Sequence, residues 1–196
     1  MRLFSIMLFK WQGEQNESVK LAEAVDVSNT VWFKRSTVKD VLTFVSRNVV
    51  SRSHALERSS VFHQEYMAHV CVAADKLACV VITDAEYPCR VAFDIARQAI
   101  DALHATQIDI QAVVKDAALA VPVLDTLLQR YQKPAEVDKL VKIRADLDAT
   151  QDIMRKNLDD LLACGERLDD IVAKSNDLRD HSKTFVINSK KLNSCC

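Results

Sequence analysis

The sequence predicts an α+β domain, an antiparallel sheet with helices on its faces, followed by a long C-terminal coiled-coil helix. Apolar or alternating runs rich in β-branched residues predict the strands, and amphipathic stretches between and after them predict the helices. A third observation predicts the coiled coil. From residue 136 to 192, 23 of 57 residues are charged, yet positions spaced alternately by three and four carry no charge.

The predicted domain opens with a hairpin, because residues 3–9 are apolar on both alternations and residues 19–27 alternate. Asp75 and Lys76 mark a tight turn between two later strands. The order of elements is then ββαββαα. The predicted elements are strands over 3–9 and 19–27, a helix over 37–51, strands over 60–73 and 77–83, a helix over 88–104 and a last helix that carries Leu119, Val123, Leu124, Leu127, Leu128 and Tyr131.

Prolines mark the start of one helix and the end of this domain. Pro88 suits the first position of the helix over 88–104. That helix is expected to bury Ala92, Ile95, Ala96, Ala99 and Leu103. The stretch Gln132-Lys133-Pro134 predicts the boundary, which divides the chain into a domain over 1–132, a coiled-coil segment over 133–192 and a tail over 193–196.

Phe44 stands apart from the apolar stripe of the helix over 37–51. The stripe contains Val38, Val41, Leu42, Val45 and Val49, whereas Phe44 lies about 120° from its middle. Two interpretations stay open: a core aromatic covered by a neighbouring strand, or a docking site for a mobile segment of the chain.

Composition excludes several functions. The net charge of −1 argues against a nucleic-acid partner, and no apolar run reaches the 18 residues of a membrane span. Two glycines are too few for a phosphate-binding or dinucleotide-binding loop. His63, His69 and Cys71 share a strand parity, but isolated histidines are far more often structural than metal ligands. We therefore expect no catalytic residue, no metal site and no cofactor, and cytosolic, reduced cysteines since no signal peptide is recognisable.

The uncharged seam predicts a helix that is incomplete alone. Thr150, Asn157, Ser175, Ser182 and Ser189 fill a two-stranded core poorly, so we expect the segment to fold against several partner helices. A homodimeric coiled coil is the alternative. The remaining seam positions are Leu140, Ile143, Leu147, Met154, Leu161, Cys164, Leu168, Ile171, Leu178, Phe185 and Leu192.

The chain ends in two adjacent thiols, Cys195 and Cys196, beyond the predicted helix. Two lipid chains give stable membrane anchoring where one is marginal, so lipidation of this pair is expected. A prenylation box would need three further residues after Cys196. An unmodified tail is the alternative.

Five stretches resemble the prenylated longin SNAREs, synaptobrevin-like proteins without a membrane span. They are DVSNTVWFKRSTV from Asp26, DAEYPCRVAF from Asp84, RYQKPAEVD from Arg130, RLDDIVAKSN from Arg167 and the closing NSCC. The resemblance implies a profilin-like longin domain followed by one SNARE helix. It implies membrane fusion, in which this helix zips with three Q-type SNARE helices, and recycling by the SNARE disassembly machinery.

The resemblance also implies site residues and a location. Val41 and Phe44 match a longin groove that holds the SNARE segment or the lipid, and Cys195 and Cys196 match the sites of prenyl and palmitoyl groups. The seam residues listed above match the layers of the four-helix bundle. The implied location is the cytosol and the cytosolic face of ER–Golgi, endosomal, vacuolar and autophagic membranes.

One departure from the family pattern concerns the central layer of the bundle. The family places an arginine there, whereas this sequence has Cys164, which has no guanidinium group. An alternative function therefore stays open: a regulatory or inhibitory module that joins SNARE bundles without driving fusion.

Overall fold

The computed structural model describes residues 1–28, 35–117, 119–132 and 153–161. Its elements are, in chain order, β1 (Leu3–Lys10), β2 (Val19–Val25), α1 (Arg35–Ser51), β3 (Arg58–His63), β4 (Tyr66–Val72), β5 (Leu77–Asp84), α2 (Cys89–Ala105), a short 3-10 helix (Ile110–Ala112), α3 (Pro122–Arg130), β6 (Met154–Asn157) and the single turn α4 (Leu158–Leu161).

The six strands form one sheet in the order β2-β1-β5-β4-β3-β6. Neighbouring strands are antiparallel, except that β6 runs parallel to β3. β1 lies inside the sheet between β2 and β5, as its apolar residues on both faces predict. The sequence-based prediction of an α+β domain with an antiparallel sheet is confirmed.

Each face of the sheet carries its own hydrophobic core. On one face, α2 and α3 pack on side chains such as Ile6 and Val81. On the other face, Val49 and Val50 of α1 pack on side chains such as Val70. The five residues that the helical period predicts to be buried in α2 are all buried, because one stripe of that helix faces the sheet.

Two expectations for the domain are wrong in detail. Residues 60–73 form two strands, β3 and β4, with a turn at Gln64, whose φ of 53° lies in the left-handed region. No glycine or asparagine marks this turn in the sequence, so the pattern reads as one strand. Val123, expected on the buried face of the last helix, is 45% exposed because α3 begins at Pro122 and turns this position outward.

The chain leaves this domain next to β1. The side-chain amide of Gln132 binds the backbone of Leu3 in β1 through two hydrogen bonds, as a neighbouring strand would. Its Nε2 donates to the Leu3 carbonyl at 2.7 Å, and its Oε1 accepts from the Leu3 amide at 3.4 Å. The predicted boundary at 132/133 falls just before residues 133–152, which lie outside the described part.

The C-terminal segment departs most from expectation. Residues 154–157 were expected to be helical as part of the coiled coil but form strand β6, so that expectation is wrong for this state of the chain. The edge of β3 offers backbone N–H and C=O groups, and residues 154–157 pair with them in a parallel register. The other predicted coiled-coil positions lie outside the described residues, apart from Leu161 in α4.

Candidate functional site

The candidate site is the edge of the sheet where the C-terminal segment docks onto β3. Met154 lies opposite Ser59 and Asn157 lies opposite Phe62, in a parallel register of four residue pairs. Parallel pairing uses backbone groups alone, so the four residues of β6 need no strand propensity of their own. The contact joins two segments that are more than 90 residues apart in the sequence.

An ion pair fixes this docking at one point. The Lys156 Nζ donates to Glu57 Oε1 at 2.5 Å, and the Glu57 side chain is only 4% exposed. Its other oxygen, Oε2, accepts from the His54 amide at 2.6 Å. Burial acts to raise the pKa of the Glu57 carboxyl, but the amide of His54 and the ammonium of Lys156 outweigh it and hold this pKa below its ordinary value. The carboxylate is therefore charged at neutral pH and ready to pair.

Leu158 supplies the apolar part of the contact. It follows β6 directly, is 2% exposed, and belongs to the core between α1 and the sheet. Leu161, one turn later, packs against the same core together with Leu42 and Val45 of α1. Burying a leucine side chain in this way stabilises the contact by roughly 1.5–3 kcal/mol.

The two predicted groove residues lie in α1 but do not belong to the core that contains Leu158. Val41 and Phe44 are half-buried in α1, whereas the side chains of α1 that pack against the core with the docked segment include Leu42 and Val45. The groove at Val41 and Phe44 therefore stays a prediction, and the α1 side chains that pack against the core with Leu158 belong to the stripe expected to form the core.

Three predicted layer residues fall on described positions, and none is the residue that anchors the segment. Met154 is 45% exposed, and Asn157 and Leu161 are half-buried. The anchor is Leu158, one position off the predicted seam. The remaining predicted site residues lie outside the described part of the chain: Leu140, Ile143, Leu147, Cys164, Leu168, Ile171, Leu178, Phe185, Leu192, Cys195 and Cys196.

Sequence reasoning missed Glu57, Lys156 and Leu158. Glu57 and Lys156 look like ordinary surface charges in the sequence, and only a docked segment brings them together. The sequence does not single out Leu158, because Val141, Ile153, Leu162 and Val172 are also apolar residues outside the seam.

The three residues weighed as a metal site do not converge. His69 lies buried on β4 and is bound to Ser60 and Thr83, while His63 lies at the far end of β3. In the residues that the structure describes, no group of three or more His, Cys, Asp or Glu side chains could hold a metal ion.

Comparison with known proteins identifies both halves of the chain. Residues 27–100 match the model of the longin domain, described as a regulated-SNARE-like domain, and residues 139–195 match the model of synaptobrevin. The chain is 36% identical to the synaptobrevin homolog YKT6 of Yarrowia lipolytica over 100% of its length and 98% of that protein's. The chain belongs to the family of longin-domain synaptobrevin homologues.

Other members of the family match over the same extent. The VAMP-like protein YKT61 of Arabidopsis thaliana is 38% identical and the synaptobrevin homolog YKT6 of Saccharomyces cerevisiae 34%, each over the whole of this chain and 98% of the relative. The longin match contains β3, and the synaptobrevin match contains β6. The docking contact thus joins the two parts that the family models recognise. Among the described helices, none is long and apolar enough to cross a membrane.

Proposed function

We propose that this chain is an R-type SNARE that acts in intracellular membrane fusion and is held inactive by its own longin domain. The observation that carries the proposal is the docking of residues 153–161, part of the synaptobrevin segment, on β3 and α1 of the longin domain. Full-length similarity to named synaptobrevin homologues supports the same conclusion. The protein acts by binding and assembly and catalyses no reaction.

The inhibition follows from the two conformations that the same residues need. In a four-helix bundle, residues 154–161 must be helical, with Met154, Asn157 and Leu161 facing three Q-type SNARE helices. In the docked state, residues 154–157 form a strand and Leu158 is buried. One segment cannot hold both sets of backbone hydrogen bonds, so docking on β3 and zippering with partners exclude each other.

Membrane attachment completes the proposal. Prenyl and palmitoyl groups on Cys195 and Cys196 anchor the opened chain to the cytosolic face of ER–Golgi, endosomal or vacuolar membranes, including autophagic ones. The SNARE disassembly machinery then returns the chain to the docked state. The family resemblance supports each of these steps.

A reconstitution experiment tests the proposal. The full chain, attached to liposomes through its C-terminus, is mixed with liposomes that carry three Q-type SNARE helices, and lipid mixing is followed by fluorescence dequenching. Lipid mixing that depends on all three partners, and that increases when Leu158→Asp opens the docked segment, supports the proposal. Helical assembly without lipid mixing contradicts it. That result favours the inhibitory alternative, which rests on Cys164 in place of arginine at the expected central layer.

A matched pair of chains separates these two functions. Replacing Cys164 by arginine restores the family residue at the expected central layer. If the wild-type chain is an active SNARE, Cys164→Arg changes the extent of lipid mixing less than twofold. If the wild-type chain is an inhibitor, this single change converts assembly without fusion into fusion.

The proposed groove has its own test. Replacing Phe44 by glutamate puts a charge at a half-buried position of α1 next to Val45, which packs on the core with the docked segment. We expect Phe44→Glu to release the C-terminal segment and increase the membrane-bound fraction. An unchanged cytosolic fraction, together with unchanged protease sensitivity of residues 140–192, would contradict a role of Phe44 in the groove.

A further inference from the structure

The loop between α1 and β3 carries Glu57, the carboxylate that holds Lys156 of the docked segment. Glu57 is the last residue of a tight turn, in which its amide donates to the His54 carbonyl at 3.3 Å. Its Oε2 accepts from the His54 amide at 2.6 Å. The backbone of His54, three residues earlier, therefore sets the position of the carboxylate.

This turn has a conformation that its own sequence does not favour. Leu56, its third residue, has a φ of 61° in the left-handed region and is 58% exposed. A leucine rarely adopts this region, and an exposed side chain gains little packing there in return. After the turn, the Glu57 carbonyl accepts from the Val72 amide of β4 at 3.0 Å. Contacts with the rest of the domain therefore hold the turn in its shape.

The loop between β1 and β2 supplies contacts on the other side of the turn. Trp11 Nε1 donates to the Ser53 carbonyl at 3.1 Å, and Ser53 directly precedes the turn. The Gln15 amide donates to the Ser51 carbonyl at 2.7 Å and so satisfies a carbonyl at the C-terminal end of α1. The β1–β2 loop thus binds the chain at two points just before the turn that carries Glu57.

Trp11 is the contact best placed to hold the turn. Its ring packs against the core under α1, and its own amide donates to the Lys76 carbonyl at 2.8 Å, so the indole is fixed independently of the α1–β3 loop. Ser53 is 1% exposed. A carbonyl at such a position is costly to leave without a donor, because water does not readily replace the indole N–H.

We propose that the β1–β2 loop positions Glu57 for Lys156, and that Trp11 is the positioning residue, acting through the hydrogen bond of its indole to Ser53. This inference rests on the proposed function, because it concerns the docking that inhibits the chain. Without the indole N–H, the turn that follows Ser53 can leave its disfavoured conformation. The Glu57 carboxylate then lies less accurately for the Lys156 ammonium, and docking weakens.

A double-mutant cycle in the full chain tests the proposal. Trp11→Phe keeps an aromatic ring against the core and removes the indole N–H. Hydrogen exchange at the backbone of β3 and proteolysis of residues 153–161 measure docking. We expect Trp11→Phe to weaken docking about threefold in the wild-type background and to have no measurable effect in Lys156→Met, which has no ammonium to position. Equal weakening in both backgrounds would assign the effect to lost packing and overturn the proposal.

Asn16→Ala is the matched control in the same loop. The Asn16 side chain binds the Gln12 carbonyl at 3.1 Å rather than the α1–β3 loop, so docking should not change. If Asn16→Ala weakens docking as much as Trp11→Phe, general disturbance of the loop explains the effect and the positioning role is wrong.

Hydrogen exchange at the backbone of α2 reports loss of folding. If Trp11→Phe unfolds the domain, the outcome rests on Glu14→Ala. This change removes a contact of 2.7 Å between Glu14 Oε1 and His54 Nδ1, in which both side chains are 56% exposed. We expect docking about twofold weaker in Glu14→Ala. Wild-type docking in that variant overturns the proposal.

The wild-type chain separates this inference from the proposed function. An open wild-type chain, with residues 153–161 cleaved as fast as in Leu158→Asp, contradicts the proposed inhibition and this inference together. A closed wild-type chain whose docking is insensitive to Trp11→Phe overturns this inference alone.

Discussion

The two faces of the sheet are closed in different ways. Among the described residues, the core under α2 and α3 is formed by side chains between Leu3 and Tyr131, all of them in the predicted longin domain. The core under α1 includes Leu158, with Leu161 packed against it, and both come from the synaptobrevin segment. One face therefore holds the domain together, and the other is completed by a segment that fusion requires elsewhere.

The largest effect is expected from a substitution in the core under α2 and α3. Leu103 of α2 is fully buried, and Leu103→Ala should lower the free energy of unfolding by about 2–5 kcal/mol. Urea unfolding of the full chain measures this change. The docked segment should not compensate for the loss, because Leu103 belongs to the core that contains none of its residues. A change below about 1 kcal/mol would show that this face is not what stabilises the domain.

The next largest effect is expected from a substitution in the core under α1, which should release the docked segment without unfolding the domain. Leu158→Asp places a charge where a leucine is 2% exposed and should shift the docking equilibrium by about 3 kcal/mol toward the open chain. Hydrogen exchange at the backbone of β3 and proteolysis of residues 153–161 measure the opening.

Ile153→Asp is the matched control for that variant, since Ile153 lies in the same segment but is 41% exposed. It should leave docking nearly unchanged. Equal opening in the two variants would mean that added charge, rather than loss of the buried leucine, releases the segment.

Lowering the pH should reduce the free energy of unfolding through protonation of His69, which lies on the side of the sheet that α2 covers. Its pKa lies near 4 in the folded protein against 6.5 in the unfolded chain, so the unfolded chain binds the proton more tightly. The stability associated with neutral His69 is complete above pH 6.5 and is lost as the pH falls toward 4, by roughly 1–2 kcal/mol at about pH 5.5. Urea unfolding at several pH values, with His69→Gln as the control, measures this loss. A wild-type slope in His69→Gln would assign the loss to other groups.

An effect of similar size concerns the ion pair at the docked edge. Lys156→Met removes the partner of Glu57 but keeps much of the aliphatic chain, and should weaken docking by about 1–3 kcal/mol because the carboxylate is left buried. Arg155→Met, one residue earlier at an exposed position, is the control. The double variant Glu57→Gln with Lys156→Met should recover part of the loss. If it is no better docked than Lys156→Met alone, the two side chains are not coupled.

The difference between the two faces also explains what could be predicted. Ala92, Ile95 and Leu103 are buried as predicted because the helical period alone decides which side of α2 meets the sheet. The sequence of β6, Met-Arg-Lys-Asn, has no strand pattern, and its conformation comes from the backbone edge of β3. Strand propensity and hydrophobic period describe the conformation that a segment favours by itself. They do not predict its pairing with a strand edge from a distant part of the chain.

The same limit applies to the site residues. The role of Phe44 as a groove residue stays a prediction, and the α1 side chains that pack against the core with Leu158 are Leu42 and Val45 of the predicted core stripe. Which residues of the segment arrive there could not be predicted, because the uncharged seam describes the bundle with partner helices rather than the docked state. Leu158 lies outside that seam and is buried in the docked state.

The contact of Gln132 with Leu3 has a consequence for how opening competes with partners. It fixes the chain beside β1, about 19 Å across the sheet from β6 at about 4.8 Å per strand, whereas the 20 residues from 133 to 152 can extend up to about 66 Å. The released segment therefore stays tethered within reach of its own edge, at a local concentration of the order of millimolar. Partner helices must compete with a segment that is always present at this high local concentration. The covalent connection therefore lets a contact of only four strand residues and one leucine keep the chain closed.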